Sequence, residues 1–437
     1  MKQAIRKQRS RRGNSIEERI ASQRISKQQV VVPPPPEESE SSGSATFVFV
    51  TCQVGAEAAL KHEVAREWPR LRFAFSRPGF LTFKVPPNAK LPDDWDARLA
   101  FARAAGLCLG KATDAALADR AQTVWKLIGD WSVSQVNVWP RDRASPGFRG
   151  YEPGITAESQ EVERLVREKT PDGNGVGGAD SEPGVGKAGR AIPPTPPLLR
   201  GGKMDHALAA DVIVVTPEEW WVGIHSLHSL AANWPGGFLQ AELPEHAVSR
   251  AWLKMQEAVL WSEFPIQPGE KCVEIGSAPG GASQYLLSQG LHVTGVDPAM
   301  MDPAVLADKN FRHNRKRSKE VPRHEFVGVD WLTCDVNLPP NYTLDAVKAI
   351  VGHPGVRFQG MLLTLKLVEW SLADDLPKYI ERIRKMGYRN VQVRQLHHNR
   401  QEVCLAASGF RGPAKTPKTR AKKRINPKAR VESQPEE

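Results

Sequence analysis

At 437 residues the chain exceeds one ordinary hydrophobic core, so two or three folded units joined by unstructured segments are expected. Its hydrophobic fraction is 40%, and no apolar run approaches the roughly 18 residues of a membrane span, which excludes a helical membrane protein. Sixty Lys and Arg against 49 Asp and Glu, a formal net charge of +11, favour a polyanionic partner.

Five scattered cysteines (Cys52, Cys108, Cys272, Cys334, Cys404) without a C-x-x-C pair point away from a disulfide framework and a zinc site, so no metal is expected. The basic start MKQAIRKQRSRRGN lacks an apolar stretch behind it and is not a secretory signal, so a cytoplasmic protein is expected.

Residues 1–44 are charged and rich in Ser and Pro, and read as a disordered tail. Residues 45–235 form the first ordered half. Phe47–Val50, Phe80–Val85, Ser134–Trp139, Asp211–Val215 and Trp220–Ile224 read as strands, and Ala56–Trp68 as a helix. This mixture predicts small α+β units of ferredoxin-like character. A Gly- and Pro-rich stretch over about 145–203 reads as a flexible insertion, with a short helix over Glu161–Lys169 inside it.

Residues 236–410 alternate β and α: helix Ser249–Trp261, strand Lys271–Ile275, helix Ala282–Gln289, and strands His292–Val296, Trp331–Cys334 and Gly360–Leu365. A helix over Ala373–Lys385 and strands Asn390–Gln395 and Glu402–Ala406 follow. Such alternation predicts a doubly wound, Rossmann-like α/β sheet. Residues 411–437 carry many Lys and Arg with almost no apolar residues, and read as a second disordered tail able to contact phosphates.

The turn after Lys271–Ile275 reads Glu274, Gly276, Ser277, Ala278, Pro279, Gly280, Gly281. Glycines between a buried strand and a helix start leave backbone N–H groups free for an anion or carboxylate. The spacing departs from G-x-G-x-x-G, which argues against a dinucleotide. Asp297 ends the next strand, where nucleotide-binding sheets hold ribose hydroxyls. This constellation resembles the cofactor loop of S-adenosylmethionine methyltransferases, whose cofactor-binding positions would be Glu274, Gly276, Ser277, Ala278, Pro279, Gly280, Gly281, Asp297 and Asp335.

Four charged residues lie in the segments around that loop. Lys254 sits in SRAWLK on the preceding helix, Asp335 and Lys366 end strands and so face the crevice of an open α/β sheet, and Glu402 begins the last strand. Strand-end position places Glu402 less securely than the other two.

SRAWLK, EIGSAPGGASQYLL, GVDP, WLTCD, LLTLK and NRQE together resemble the FtsJ-like ribosomal RNA 2′-O-ribose methyltransferases. The resemblance makes Lys254, Asp335, Lys366 and Glu402 the catalytic tetrad. TCQVGAEAALKHEV, LAFARAAG, WWVGIHS with WPGG, and VRQLHHNRQEV are similar to one bacterial branch that acts on large-subunit ribosomal RNA. That branch implies a THUMP-type RNA-binding N-terminal region and a cytidine of large-subunit rRNA as target, and a monomer is expected. The resemblance covers about 47–145 and 205–406. The insertion, both tails and the basic stretch Asn314–Lys319 depart from it.

A ribose 2′-hydroxyl is a poor nucleophile until a base shares its proton, so a positioned base is the chemical requirement. Lys366 is the choice for that base. An ordinary lysine has a pKa of about 10.4, so the role demands a tuned site. His397, His398 and Asn399 read as a solvated loop, and Trp220, Trp221 and Trp234 as packing residues rather than base-stacking platforms.

Two rivals share the cofactor loop. A base-amino RNA methyltransferase needs a D/N-P-P-Y/F stretch, of which Asp335–Tyr342 is a loose echo, and a C5-cytosine enzyme needs a nucleophilic cysteine where Cys334 looks structural. A non-catalytic RNA-binding protein on the same scaffold is the other reading, and a lost Lys366 or Asp335 would have supported it.

Overall fold

The computed structural model describes residues 47–89, 91, 95–171 and 207–412. The expected tail over 1–44, the expected tail beyond residue 412, and the expected insertion beyond residue 171 up to residue 203 lie outside the described residues.

The first half is built on one mixed sheet. Its strands are β1 (Phe47–Thr51), β2 (Arg72–Arg77), β3 (Phe80–Lys84), β4 (Ala104–Ala112), β5 (Gln135–Pro140), β6 (Leu208–Thr216) and β7 (Glu219–Ser226), in the order β2-β3-β1-β4-β7-β6-β5. Neighbours are antiparallel except β5 and β6. The α+β character is as expected, but the strands join one continuous sheet instead of separate small units, because β4 pairs with both β1 and β7. Two glycines permit that junction. A Cβ on Gly106 would lie 2.3 Å from the Ile224 carbonyl oxygen, and one on Gly223 would lie 2.5 Å from the Leu107 carbonyl oxygen and from the Phe49 ring.

Helices α1 (Glu57–Glu67), α2 (Leu117–Ile128) and α3 (Ala157–Glu168) accompany this sheet. Helix α3 stands where a short helix over Glu161–Lys169 is expected within the insertion, and it begins earlier, at Ala157. Thr156 caps α3 by accepting from the Ser159 N–H, and Val162 and Val166 are buried. Trp220 and Trp221 are packing residues, as read: both are buried, with Trp221 stacked on Phe75 at 5.6 Å.

The second half is a doubly wound α/β sheet. It contains α4 (Ala251–Ser262), β8 (Lys271–Ile275), α5 (Gly281–Ser288), β9 (His292–Val296), α6 (Pro303–Leu306) and β10 (Phe311–Asn314). Then follow β11 (Trp331–Cys334), α7 (Pro340–Val351), β12 (Gly360–Lys366), α8 (Leu376–Lys385), β13 (Tyr388–Arg394) and β14 (Glu402–Phe410). The order is β10-β9-β8-β11-β12-β14-β13. Strands β8 to β12 pair in parallel, whereas β14 is antiparallel to both β12 and β13. Strand order reverses direction between β8 and β11. A crevice therefore opens beyond their carboxyl ends, which is where open α/β sheets bind ligands.

The two halves meet at the loop before β14. Gln395 N donates to the Ala100 carbonyl at 2.6 Å, His397 Nε2 lies 2.9 Å from the Pro153 carbonyl, and Phe101 meets the edge of Trp370 at 6.2 Å. Glu63 on α1 fixes the first of these partners by accepting from the Ala100 and Phe101 N–H groups at 2.7 and 3.1 Å. Beside them, both Asp142 oxygens accept from one nitrogen of Arg103, at 2.7 and 2.6 Å. Their side chains are 2% and 1% exposed, so losing one partner strands a buried charge. Arg103→Ala is expected to lower unfolding free energy by about 3–5 kcal/mol in chemical denaturation. A change below about 1 kcal/mol would show that this buried pair does not stabilise the first half of the chain.

Candidate active site

The glycine turn is shaped by lack of room. Gly276 has φ +81°, and a Cβ there would lie 2.5 Å from the Asp335 carbonyl oxygen, across the β8–β11 junction. A Cβ on Gly280 (φ +122°) would lie 2.6 Å from Val305, and one on Gly281 only 2.2 Å from the Ser249 hydroxyl just before α4. Bare backbone at these three positions lets β8, β11, α4 and α6 converge. No side chain caps the start of α5, so its first N–H groups stay available to an anion.

Asp297, directly after β9, accepts from the Ala299 and Ala278 N–H groups at 2.8 and 3.3 Å, which ties the second strand end to the turn. Pro279 is exposed at the tip of the turn. Two of the expected cofactor residues have internal partners instead. The Ser277 hydroxyl is buried and donates to the Met301 sulfur at 3.5 Å, and the buried Glu274 carboxylate accepts from the Ser283 hydroxyl on α5. A crevice of bare glycine backbone with an uncapped helix start and an acid at the neighbouring strand end fits the amino-acid carboxylate and ribose of S-adenosylmethionine. The residues that would hold it are Gly276, Ala278, Gly280, Gly281 and Asp297.

The four tetrad candidates converge. Lys254 Nζ lies 2.6 Å from Asp335 and 2.7 Å from Glu402, and Lys366 Nζ lies 2.9 Å from Asp335 and pairs closely with Glu402 as well. Each lysine thus touches both acids, in a square of alternating charge. Glu402 is here because β14 runs antiparallel to β12, with Glu402 directly opposite Lys366 in register. The start of β14 therefore lies at the same edge as the ends of the parallel strands.

Burial works against charge on Lys254, but the Asp335 and Glu402 carboxylates outweigh it and hold this lysine above its ordinary pKa. Burial likewise opposes ionisation of Asp335, and the ammonium groups of Lys254 and Lys366 overcome it, keeping the acid below its ordinary value. Both groups are charged at neutral pH.

A second charged residue on α4, one turn beyond Lys254, escaped the sequence reading. Glu257 is buried and accepts from the His397 and His398 N–H groups at 2.6 and 2.8 Å, with its carboxylate 2.9 Å from His398 Nδ1. The loop over His397–Asn399 is thus pinned to α4, which corrects the expectation of a solvated loop. Burial lowers the pKa of His397 to about 4, so its ring is neutral. Asn399 is buried and reaches Glu402 at 3.4 Å, so this loop also braces the tetrad. The i, i+3 spacing of Lys254 and Glu257 was the available signal.

Burial raises Glu274 from 4.5 to about 8, with Asp335 and Asp297 adding to the effect against the Ser283 hydrogen bond. A folded pKa above the unfolded one contributes stability that is complete below about pH 4.5 and is lost as pH rises through about 8. Glu274→Gln should remove this slope, so stability of the variant relative to the parent rises between pH 5 and 9 in denaturation experiments. Parallel stability curves would contradict the assignment.

Comparison with known proteins agrees with this geometry. Residues 247–395 match the FtsJ-like methyltransferase family. The chain is 32% identical over 192 residues to the ribosomal RNA large subunit methyltransferase M of Alkalilimnicola ehrlichii, covering 41% of this chain and 52% of that protein. It is 32% identical over 180 residues to the protein of the same name from Halorhodospira halophila, covering 40% and 51%. The chain spans about half the length of the curated relatives it matches. The family match is confined to residues 247–395, and it agrees with S-adenosylmethionine as the cofactor of the glycine turn.

Proposed function

We propose that this chain methylates a ribose 2′-hydroxyl of RNA, with a cytidine of large-subunit ribosomal RNA as the target. The observation that carries the reading is the square of Lys254, Asp335, Lys366 and Glu402 beside the glycine turn. The matched relatives, by their names, support ribosomal RNA as the substrate, and the net charge of +11 is in keeping with a polyanion.

Bound S-adenosylmethionine supplies an electrophilic methyl group on sulfur. Gly276, Gly280 and Gly281 would admit it close to the backbone, and Asp297 would hold its ribose. Lys254 is held above its ordinary pKa by its two acids. It balances Asp335 and Glu402 and holds them in place. Lys366 is our choice of general base: in its neutral form its Nζ would accept the 2′-hydroxyl proton, with Asp335 and Glu402 fixing its position.

The rival chemistries find less support. The Cys334 thiol is buried, which pushes its pKa up to about 12, so it offers no thiolate for attack on a cytosine ring. For base-amino transfer, the loose Asp-Pro-Pro echo is split: Asp335 is engaged by two lysines, while Pro340 opens α7. Three further expectations accompany the proposal. The sheet of residues 45–235 serves as the RNA-binding region, the protein works as a monomer, and it works in the cytoplasm.

Lys366→Ala is expected to lower methyl transfer by at least 1,000-fold while cofactor affinity, measured by calorimetry, changes less than about threefold. Full activity in that variant would remove Lys366 from the role of base. Gly276→Ala is expected to do the reverse: its methyl group meets the Asp335 carbonyl, so cofactor affinity should fall at least about tenfold. Unchanged affinity would show that the cofactor does not use this turn.

A further inference from the structure

Beside the square lies a second charged cluster with no part in the chemistry above. Arg250 immediately precedes α4, and its carbonyl accepts from Lys254 N at 3.4 Å, so it stands one turn before Lys254 on the same face. Arg400 stands two residues before Glu402. Both guanidinium groups reach one carboxylate, Glu152, which comes from the other half of the chain. Arg250 binds its two oxygens at 3.3 and 3.4 Å, and Arg400 approaches at 3.9 Å while lying against Gly147.

These contacts are long for charge-assisted hydrogen bonds, which favour about 2.7–2.9 Å. The three side chains are 52%, 58% and 49% exposed, so water screens the pairs and little holds them together. Two arginines also share one acid, which leaves the cluster positive. A phosphate offers more oxygens and matches the guanidinium fork better than this half-solvated carboxylate does.

We infer that Arg250 and Arg400 form a clamp for an RNA backbone phosphate next to the target ribose, and that Glu152 occupies this clamp when RNA is absent. The inference rests on RNA being the substrate. Position supports it: each arginine is within one turn or two residues of a tetrad member, and a 2′-hydroxyl is only a few bonds from its own 3′-phosphate. Glu152 then acts as a competitor, so it opposes the binding that the arginines favour.

The test is equilibrium binding of the full chain to a fluorescent large-subunit ribosomal RNA transcript at several salt concentrations, read without turnover. Arg250→Ala with Arg400→Ala should weaken binding tenfold or more and reduce the salt slope by about one. Glu152→Gln should tighten binding a few-fold, a sign that mere support of the fold would not produce. Cofactor affinity verifies that each variant is folded, and if the double variant fails there, Glu152→Gln decides alone. Wild-type affinity and slope in a folded double variant, or a Glu152→Gln protein that binds no tighter, overturns the clamp. A chain that shows the predicted shifts but methylates no ribose would contradict the proposed activity and leave the clamp standing. A parent chain that binds no RNA would overturn both.

Discussion

Strand β14 runs against β12, and the site depends on that reversal. In a wholly parallel sheet the first residue of a strand lies at the edge remote from the ligand crevice. Antiparallel pairing inverts this, so Glu402 comes to stand opposite Lys366 at the edge where β8, β9 and β11 also end. Helix α4, packed over the same edge, closes the square with Lys254. Sheet topology thus gathers charges from four separate segments without any of them lying near another in sequence.

The square is electrostatically interdependent. Each lysine has two acids and each acid two lysines, in a partly buried setting where screening is weaker than at the surface. Removing any one charge leaves its neighbours unbalanced, so substitutions should act jointly rather than additively. The same balance keeps Lys254 and Asp335 charged against the cost of burial. Support comes from the next layer: Glu257 ties α4 to the His397–Asn399 loop, and the Ala100–Arg103 segment ties that loop to the first half of the chain.

Much of this could be read from the residues, and the gaps have physical reasons. Buried strands such as Lys271–Ile275 and Met361–Leu365 are short apolar runs bounded by turns, and a glycine turn between strand and helix has a local signature. Strand β4 went unread because AAGLCLGKA is small and glycine-containing, with no β-branched residue to mark it. Strand β2 is an edge strand with mostly exposed side chains, so it lacks alternation. The position of Glu402 could not be assigned because strand direction is set by long-range pairing, which periodicity does not encode. The histidine loop was misjudged for a similar reason. Its partner Glu257 lies 140 positions away, and a polar loop beside a buried carboxylate looks like any solvated loop until the two meet.

The central claim is that the square acts on a sugar hydroxyl. A 2′-O-methyl group prevents the neighbouring phosphodiester from being cleaved in alkali, because the attacking oxygen is blocked, whereas a methyl on a base does not. Ribosomal RNA incubated with the protein and isotopically labelled S-adenosylmethionine, then hydrolysed in alkali, reads this difference directly. The account predicts label in alkali-resistant dinucleotides. Label confined to mononucleotides would contradict it.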